Sequence, residues 1–332
     1  RTRTYSRAEF DGITRGYSFA EKHNRRGQHL HPSLSKTKQQ KQFNVISFFQ
    51  SQHTETKSGV GYALLAYLSW GFLPIYWKFL NTVPSMEILT HRMVWSVFFL
   101  LGLLAVQKRL GELRQLFHSP KYIFMLFGTA ALLSGNWFVY IYGVNTNQVI
   151  ETSLGYFINP LLVILLGALF LKERLNIWQI VALGFAALGV LNFLWNFGSL
   201  PWIALSLAFT FSLYGLFRKM IPVKPLVGLL METVLLAPLA AVLIVFWEVD
   251  GTGSFGNVWM TDILLIGAGV VTSLPLLWFT NAGKRLRYST MGFIQYMTPS
   301  IQLGIGVYLY NEPFTSTHAV TFGLIWTGLL VY

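Results

Sequence analysis

The chain has 332 residues, of which 53% are hydrophobic, 16% are aromatic and only 11% are charged. Soluble domains usually carry charge on about a quarter of their residues, so this composition excludes an ordinary soluble protein and predicts an all-α integral membrane protein. The net charge of +12 does not indicate a nucleic-acid partner, because a basic N-terminal tail and the membrane loops account for it.

The first 58 residues form a segment of different composition from the rest. They contain eleven Lys or Arg against four Asp or Glu, and few large apolar residues. Such a segment cannot bury enough apolar surface to offset its ordering entropy, so residues 1–58 are predicted to be a disordered basic tail. Since the chain opens on Arg1, a gene-model extension is the alternative interpretation of this segment.

From Gly59 onward the sequence predicts ten membrane-spanning helices. A helix needs about twenty apolar residues to cross a bilayer. Stretches of this length and character lie at 60–79, 86–106, 122–143, 152–171, 176–195, 199–217, 226–247, 262–282, 289–310 and 314–332. The fifth and sixth stretches run together without a charge, and the turn signal at 196–201 divides them.

The charges between the predicted spans alternate from one connection to the next. If the N-terminus is cytoplasmic, the cytoplasmic connections carry the following basic residues: Lys108, Arg109, Arg114, Lys121, Lys172, Arg174, Arg218, Lys219, Lys224, Lys284, Arg285 and Arg287. The opposite connection near 248–262 is acidic. Ten spans therefore satisfy the positive-inside rule, and both termini are predicted to be cytoplasmic.

One sequence pattern occurs twice, 139 residues apart. Pro160 is followed thirteen residues later by Glu173, and Pro299 is followed thirteen residues later by Glu312. Each copy lies in a predicted unit of five spans, 59–195 and 196–332. Because five is an odd number, the two units must enter the membrane in opposite directions, as in the inverted repeats of many secondary transporters.

Polar side chains at bilayer depth are the candidates for function, because a buried charge is costly and usually faces a partner or a watery cavity. Arg92 and Glu232 lie about two turns inside equivalent spans of the repeat. Glu87 and His91 share one helix face, and Glu151 begins the fourth span. We expect Arg92 to pair with Glu151 or Glu87 in an outer cluster, and Glu232 to form an inner cluster, with a midplane cavity between them. The alternative is that these residues form structural ion pairs or reach the membrane interface.

Neutral polar and aromatic side chains inside the spans are further candidates to line a substrate pathway, since they bind solutes without the cost of a buried charge. They are Asn136, Trp137, Asn159, Tyr214, Gln295 and Tyr296, with Thr298 beside them. A proline inside a span removes a backbone hydrogen bond and permits a kink. The matched Pro160 and Pro299 are therefore the candidate hinges.

Several separate motifs carry a family resemblance over 59–332. They lie at 87–92 (Glu-Ile-Leu-Thr-His-Arg), 135–137 (Gly-Asn-Trp), 153–160, 197–201 and 292–296. The chain resembles the RarD permeases, a group within the EamA family of drug/metabolite transporters. This resemblance implies a ten-helix, inverted five-plus-five bundle in a bacterial inner membrane.

The sequence therefore predicts a secondary transporter of small metabolites or drugs, working by alternating access as an exporter. Its expected partners are a small-molecule solute and the lipid bilayer, with a possible homodimer. A membrane receptor or scaffold without transport is one alternative, and an integral-membrane enzyme using Glu151 with His91 is another. The sequence has no cysteine, phosphate-binding loop, zinc-ligand spacing or serine elbow, so no catalytic residue, cofactor or metal is predicted.

Overall fold

The computed structural model describes the backbone of residues 32–145, 149–197, 201–310 and 314–331, and contains helices and no strand within these ranges. The chain divides into two compact units, 1–54 and 55–332. The described helices are α1 (Pro32–Lys78), α2 (Ser85–Val106), α3 (Leu110–Phe117), α4 (Pro120–Asn145), α5 (Val149–Phe170), α6 (Ile177–Phe197), α7 (Trp202–Met220), α8 (Pro225–Asp250), α9 (Trp259–Arg285), α10 (Tyr288–Gln295), α11 (Met297–Leu309) and α12 (Ser316–Val331).

Each stretch predicted to span the membrane falls on one of these helices or, for 289–310, on a pair of helices. Six helical segments in the described part are long and apolar enough to cross a membrane: Glu55–Lys78, Ser85–Val106, Pro120–Tyr140, Ile177–Asn196, Pro225–Asp250 and Trp259–Arg285. Leu154–Phe170 and Ser316–Val331 are shorter apolar helices. The fold is therefore an all-helical one with several membrane-spanning segments.

The N-terminal segment differs in part from the sequence prediction. Disorder is predicted as far as residue 58, whereas the backbone is helical from Pro32 onward. Residues 1–31 lie outside the described residues. The stretch 32–58 is rich in Lys and Gln, which favour helix even where no apolar core can form. Composition does not predict this helical backbone from Pro32 onward.

The predicted single span at 289–310 is two helices, since α10 ends at Gln295 and α11 begins at Met297. Proline has no backbone N–H, so Pro299 cannot donate to the carbonyl of Gln295 four residues earlier. This missing hydrogen bond falls at the break. Pro160, in contrast, lies inside the continuous helix α5.

Helices from the two sequence halves pack against one another rather than forming separate bundles. Helix α2 contacts α8 and α9, and α4 contacts α7 and α8. Helix α5 contacts α7 and α10, and α6 contacts α12. The largest apolar core includes side chains from both halves, among them Leu100, Leu126, Leu230 and Leu277. The two halves therefore share one interior.

Two glycines allow helices from different halves to approach closely. A Cβ on Gly269 of α9 would lie 2.6 Å from the backbone carbonyl carbon of Trp95 in α2. A Cβ on Gly292 of α10 would lie 2.9 Å from the carbonyl oxygen of Pro160 in α5. Small residues at such crossings permit the backbone contact that stabilises helix pairs in membranes.

The repeated glutamate of the first half has a structural role. The Glu173 carboxylate accepts hydrogen bonds from the backbone N–H groups of Tyr288 (2.6 Å) and Ser289 (2.8 Å), and from Ser289 Oγ (2.7 Å). It therefore caps the N-terminus of α10, where N–H groups lack helical partners and negative charge is favourable. Its counterpart Glu312 lies outside the described residues.

A surface ion-pair network joins the short helix α3 to the beginning of α8. Glu112 accepts hydrogen bonds from Arg109 (3.0 and 2.9 Å) and from Lys224 Nζ (2.7 Å). These bonds, from Arg109 first and then from Lys224, lower the pKa of Glu112 to about 2. A depressed carboxyl pKa means that the contribution to stability is present at neutral pH and is lost as the pH falls toward that value.

Substitution of Gly269 by alanine should weaken the contact between α2 and α9. The added methyl group would meet the backbone at Trp95, so we expect the free energy of unfolding to fall by about 1 to 3 kcal/mol. The measurement is thermal or denaturant unfolding of the protein in detergent. Gly102→Ala in α2 is the matched control, because a Cβ there meets nothing within 4 Å. Equal destabilisation by both variants would contradict this account of the crossing.

Candidate functional site

A large cavity of about 330 Å³ lies among α1, α4, α5, α7, α9, α10 and α11. Its aromatic walls are Trp70, Trp77, Trp137, Tyr140, Tyr156, Phe211 and Tyr310. Its amide and hydroxyl groups are Asn136, Asn159, Gln295, Gln302, Thr152 and Thr298. Every described residue that lines it is uncharged. Such a mostly apolar cavity with a few polar groups is the usual form of a small-molecule site.

Six of the residues singled out by the sequence line this cavity: Asn136, Trp137, Asn159, Gln295, Thr298 and the hinge candidate Pro299. Sequence reasoning missed Trp70, Trp77 and Gln302. Trp70 and Trp77 are seven residues apart on α1, which places them on one helix face, and that spacing could have found them.

Hydrogen bonds between helices fix the orientation of the cavity amides. Asn136 Nδ2 donates to the carbonyl oxygen of Leu207 at 2.9 Å. Asn159 Nδ2 donates to Ser212 Oγ at 2.8 Å, and Asn159 Oδ1 accepts from Gln295 Nε2 at 2.5 Å. Because these bonds join α4, α5, α7 and α10, the amides stabilise the helix arrangement as well as lining the cavity.

A second, small cavity of about 30 Å³ lies between α2, α4, α8 and α9. Arg92 and Glu232 both line it, together with Trp137. This arrangement differs from the predicted separation of Arg92 and Glu232 into an outer and an inner cluster. Trp137 and Leu276 line both cavities and therefore lie between them.

Arg92 does not form the predicted ion pair with Glu87. Its Cζ atom lies 3.4 Å from the centroid of the Trp137 ring, a cation–π contact, and no described acidic side chain reaches ion-pairing distance. Arg92 is 6% exposed and its Nε has no hydrogen-bond partner. The other predicted partner, Glu151, has its side chain outside the described part of the structure. Sequence spacing placed these charges near one another along the chain, but the side chain of Arg92 packs on the tryptophan of α4.

Glu232 is paired with Arg218, which the sequence analysis assigned to a cytoplasmic connection. Glu232 Oε1 lies 3.2 Å from Arg218 Nε and accepts a hydrogen bond from Thr129 Oγ1 at 2.5 Å. Tyr214, another predicted site residue, donates to Glu232 Oε2 at 3.3 Å. Both charged side chains are 1% exposed, so this is a buried ion pair of the kind that the alternative interpretation expected.

The predicted residues Glu87 and His91 line neither cavity. Glu87 accepts hydrogen bonds from the backbone N–H (2.6 Å) and Oγ (2.8 Å) of Ser254, and the His91 ring stacks on Phe255 at 5.0 Å. Glu87, His91 and Glu248 each offer one ligand atom within 4.8 Å of the others, so among the described residues these three could hold a metal ion. Coordination there would compete with the two hydrogen bonds that Glu87 already accepts from Ser254.

Tyr296 and Pro160 also lie away from both cavities. Tyr296 is 1% exposed, belongs to an apolar cluster with Leu154 and Phe322, and its hydroxyl has no hydrogen-bond partner. Pro160 lies inside α5, against Gly292 of α10. Both residues therefore pack at contacts between helices.

Comparison with known proteins agrees with this architecture. The model of the EamA-like transporter family matches residues 57–195. Protein RarD of Salmonella typhi is 46% identical over 279 residues, which cover 84% of this chain and 95% of that protein. The uncharacterized transporter YojE of Bacillus subtilis is 45% identical, over 85% of this chain and 95% of that protein. The chain belongs to the EamA-like transporter family.

One solved structure shares the fold of this EamA-like transporter. It superposes with a TM-score of 0.63 at 20% sequence identity, over 84% of this chain and 96% of the other. Family membership confirms the resemblance seen in the motifs. The protein is a multi-pass membrane transporter whose partners are a small-molecule solute and the bilayer, and it is not an enzyme.

In this EamA-like transporter, removing the carboxylate that pairs with Arg218 and replacing Arg92 should have different effects on the free energy of unfolding. Glu232→Gln leaves Arg218 buried without a counter-ion, so we expect the free energy of unfolding to fall by about 3 to 5 kcal/mol. Arg92→Gln breaks no ion pair within the described residues, so its stability should equal or exceed that of the unmodified protein. Thermal unfolding in detergent measures both. Restoration of stability by combining Glu232→Gln with Arg218→Met would support the pair, whereas equal destabilisation by Arg92→Gln and Glu232→Gln would contradict it.

Proposed function

We propose that this transporter is a ten-span bundle of two inverted five-helix repeats, 59–195 and 196–332, which moves its solute through the large cavity by alternating access. Helix packing supports the repeat. Helix α2 contacts α8 and α9, and its proposed counterpart α8 contacts α2 and α4, the counterpart of α9. The contacts α5 with α10 and α6 with α12 also join proposed counterparts. Such exchange symmetry is expected of an inverted repeat.

The observation that carries the proposal is the large cavity itself. Its wall combines α1, α4 and α5 of the first half with α7, α9, α10 and α11 of the second. Substrate sites of secondary transporters lie at the interface between repeats, where relative movement of the halves changes access. Aromatic faces suit a planar or apolar solute body, and amide groups suit its polar edges.

Movement of the halves needs positions at which the backbone can bend. Pro160 and Pro299 are proposed as the hinges, and the break between α10 and α11 next to Pro299 supports this role. Pro299 also lines the large cavity. A change of angle there would alter the cavity directly.

The distribution of charge supports the proposed orientation. Basic connections from different parts of the chain meet at one end of the bundle: Lys224 with Glu112, Lys284 with the carbonyl oxygen of Lys219, and Arg287 with that of Arg174. The acidic loop near Glu248 contacts the start of α2 through Ser254 and Glu87. The proposal therefore places the basic end in the cytoplasm of a bacterial cell, the transporter in the inner membrane, and both termini inside. We also propose that the transporter exports its solute and that it forms a homodimer.

Single cysteines test the orientation without interference, because the chain has no cysteine of its own. Arg109→Cys should react with a membrane-impermeant maleimide only after the cells are opened, whereas Asp250→Cys should react in intact cells. Labelling is read from a gel shift or by mass spectrometry. Reaction of Arg109→Cys in intact cells would overturn the topology.

The large cavity should be reachable from water. Gln302→Cys places a thiol on its wall, and we expect a water-soluble thiosulfonate to modify it and to reduce solute flux in reconstituted vesicles. Leu169→Cys is the control, since Leu169 is 71% exposed on the outer, apolar surface of α5 and should face lipid. If Gln302→Cys is unreactive in both intact and inside-out vesicles, the cavity is not part of the transport route.

A further inference from the structure

We infer that the transported solute carries one anionic group, such as a carboxylate, and that Arg92 binds this group. The inference rests on the proposed function of the large cavity as the transport route, and it names the chemical class that the route would take. Four observations support it: the unpaired state of Arg92, the balance of buried charge, the free donors around the small cavity, and the sizes of the two cavities.

The guanidinium of Arg92 lacks the partners that a buried charge requires. It is 6% exposed and packs on the Trp137 ring at 3.4 Å. Among the described side chains no carboxylate lies within ion-pairing distance, and the buried Nε has no hydrogen-bond partner. A cation–π contact offsets only part of the cost of removing a charge from water, so a buried arginine normally has an anionic partner.

Comparison with Arg218 shows that Arg92 differs in lacking a counter-ion among the described residues. Arg218 is 1% exposed, and its Nε and Nη1 also lack hydrogen-bond partners, but Glu232 lies 3.2 Å from its Nε. Glu232 is thus already engaged, although it also lines the small cavity with Arg92. Among the described side chains, two arginines with one carboxylate leave one positive charge beside the cavity without a counter-ion. A monoanionic solute would neutralise it.

Two donors at the small cavity lack an acceptor among the described residues: Arg92 Nε and the indole N–H of Trp137. The hydroxyl groups of Ser96, Ser134 and Thr272 each donate to a backbone carbonyl, at 3.1, 2.6 and 2.7 Å, so they can only accept a further hydrogen bond. A ligand that satisfies both must offer acceptor oxygens or a halide, and a guanidinium favours the geometry of a carboxylate.

The sizes of the two cavities indicate where the anionic group and the body of the solute would each bind. The small cavity, at about 30 Å³, has room for an acidic group but not for a larger body, whereas the large cavity holds about 330 Å³. Trp137 and Leu276 line both. The solute is therefore expected to place its anionic group at Arg92 and an apolar or aromatic body in the large cavity. An inorganic anion such as chloride has the same charge and is therefore the alternative ligand of Arg92.

Matched acid and amide probes test the inference by binding alone. 3-Phenylpropionate and 3-phenylpropanamide have the same shape and differ in charge. We expect the protein in lipid nanodiscs, titrated calorimetrically in a buffer free of chloride and of carboxylates, to bind the acid at least about tenfold more tightly than the amide. Arg92→Gln should reduce this ratio to about one while leaving amide binding unchanged. Arg174→Gln, which removes an exposed arginine at the basic end of the bundle, is the matched control and should keep the preference.

Equal affinity for acid and amide, failure of the acid to bind, or the same loss in Arg174→Gln would each overturn the inference. A titration with sodium chloride distinguishes the second source. If chloride binds through Arg92 and the acid does not compete with it, the partner is an inorganic anion and the inference about the solute is wrong. Solute flux is measured separately in vesicles. Arg92-dependent binding of the acid without flux would refute the transport route and retain the anion site. Flux without a preference for the acid would retain the transport route and refute the anion site.

Discussion

The structure depends on one constraint, namely that a polar group in the hydrocarbon interior must find its partner within the protein. Lipid tails offer no hydrogen bonds, so each unsatisfied group costs free energy that water cannot recover. Asn136 and Asn159 meet this requirement through carbonyl and hydroxyl groups of α7, and Glu232 of α8 meets it in part through the hydroxyl of Thr129 in α4. Each of these bonds joins elements distant in sequence, so the hydrogen bonds that satisfy the buried polar groups also stabilise the arrangement of the helices.

Arg218 and Arg92 show the two outcomes of that constraint. Arg218 has a carboxylate at 3.2 Å, and that carboxylate is held in turn by Thr129 and Tyr214. Arg92 has only the face of Trp137. A buried charge without a counter-ion reduces the stability of the empty protein, so its presence needs a benefit elsewhere. Binding of an opposite charge from outside the chain would supply such a benefit at a buried side chain that has no counter-ion among the described residues.

Much of the helical pattern could be predicted from the sequence, because hydrophobic length and charge alternation act locally. The ten predicted apolar stretches fall on helices. The sequence makes both Pro160 and Pro299 candidate hinges, and it could not predict that only Pro299 lies beside a helix break, since Pro160 lies in a continuous helix. Three cavity amides, Asn136, Asn159 and Gln295, could be predicted because polar groups at bilayer depth are uncommon. The partner of Glu232 could not, because Arg218 looks like part of a basic loop until the return of α8 brings Glu232 to it.

The proposed repeat relates backbone positions but not side chains, and this difference determines where function can lie. Arg92 and Glu232 lie the same number of residues after the start of the proposed counterpart helices α2 and α8, yet Arg92 packs on Trp137 and Glu232 pairs with a buried arginine. The uncompensated charge therefore belongs to the first half alone. In the proposed alternating-access cycle, a solute bound to it would stay with α2 and α4 while the helices of the second half move. The proposed inverted symmetry would then permit two access states, and the asymmetry of the side chains would keep one binding site common to both.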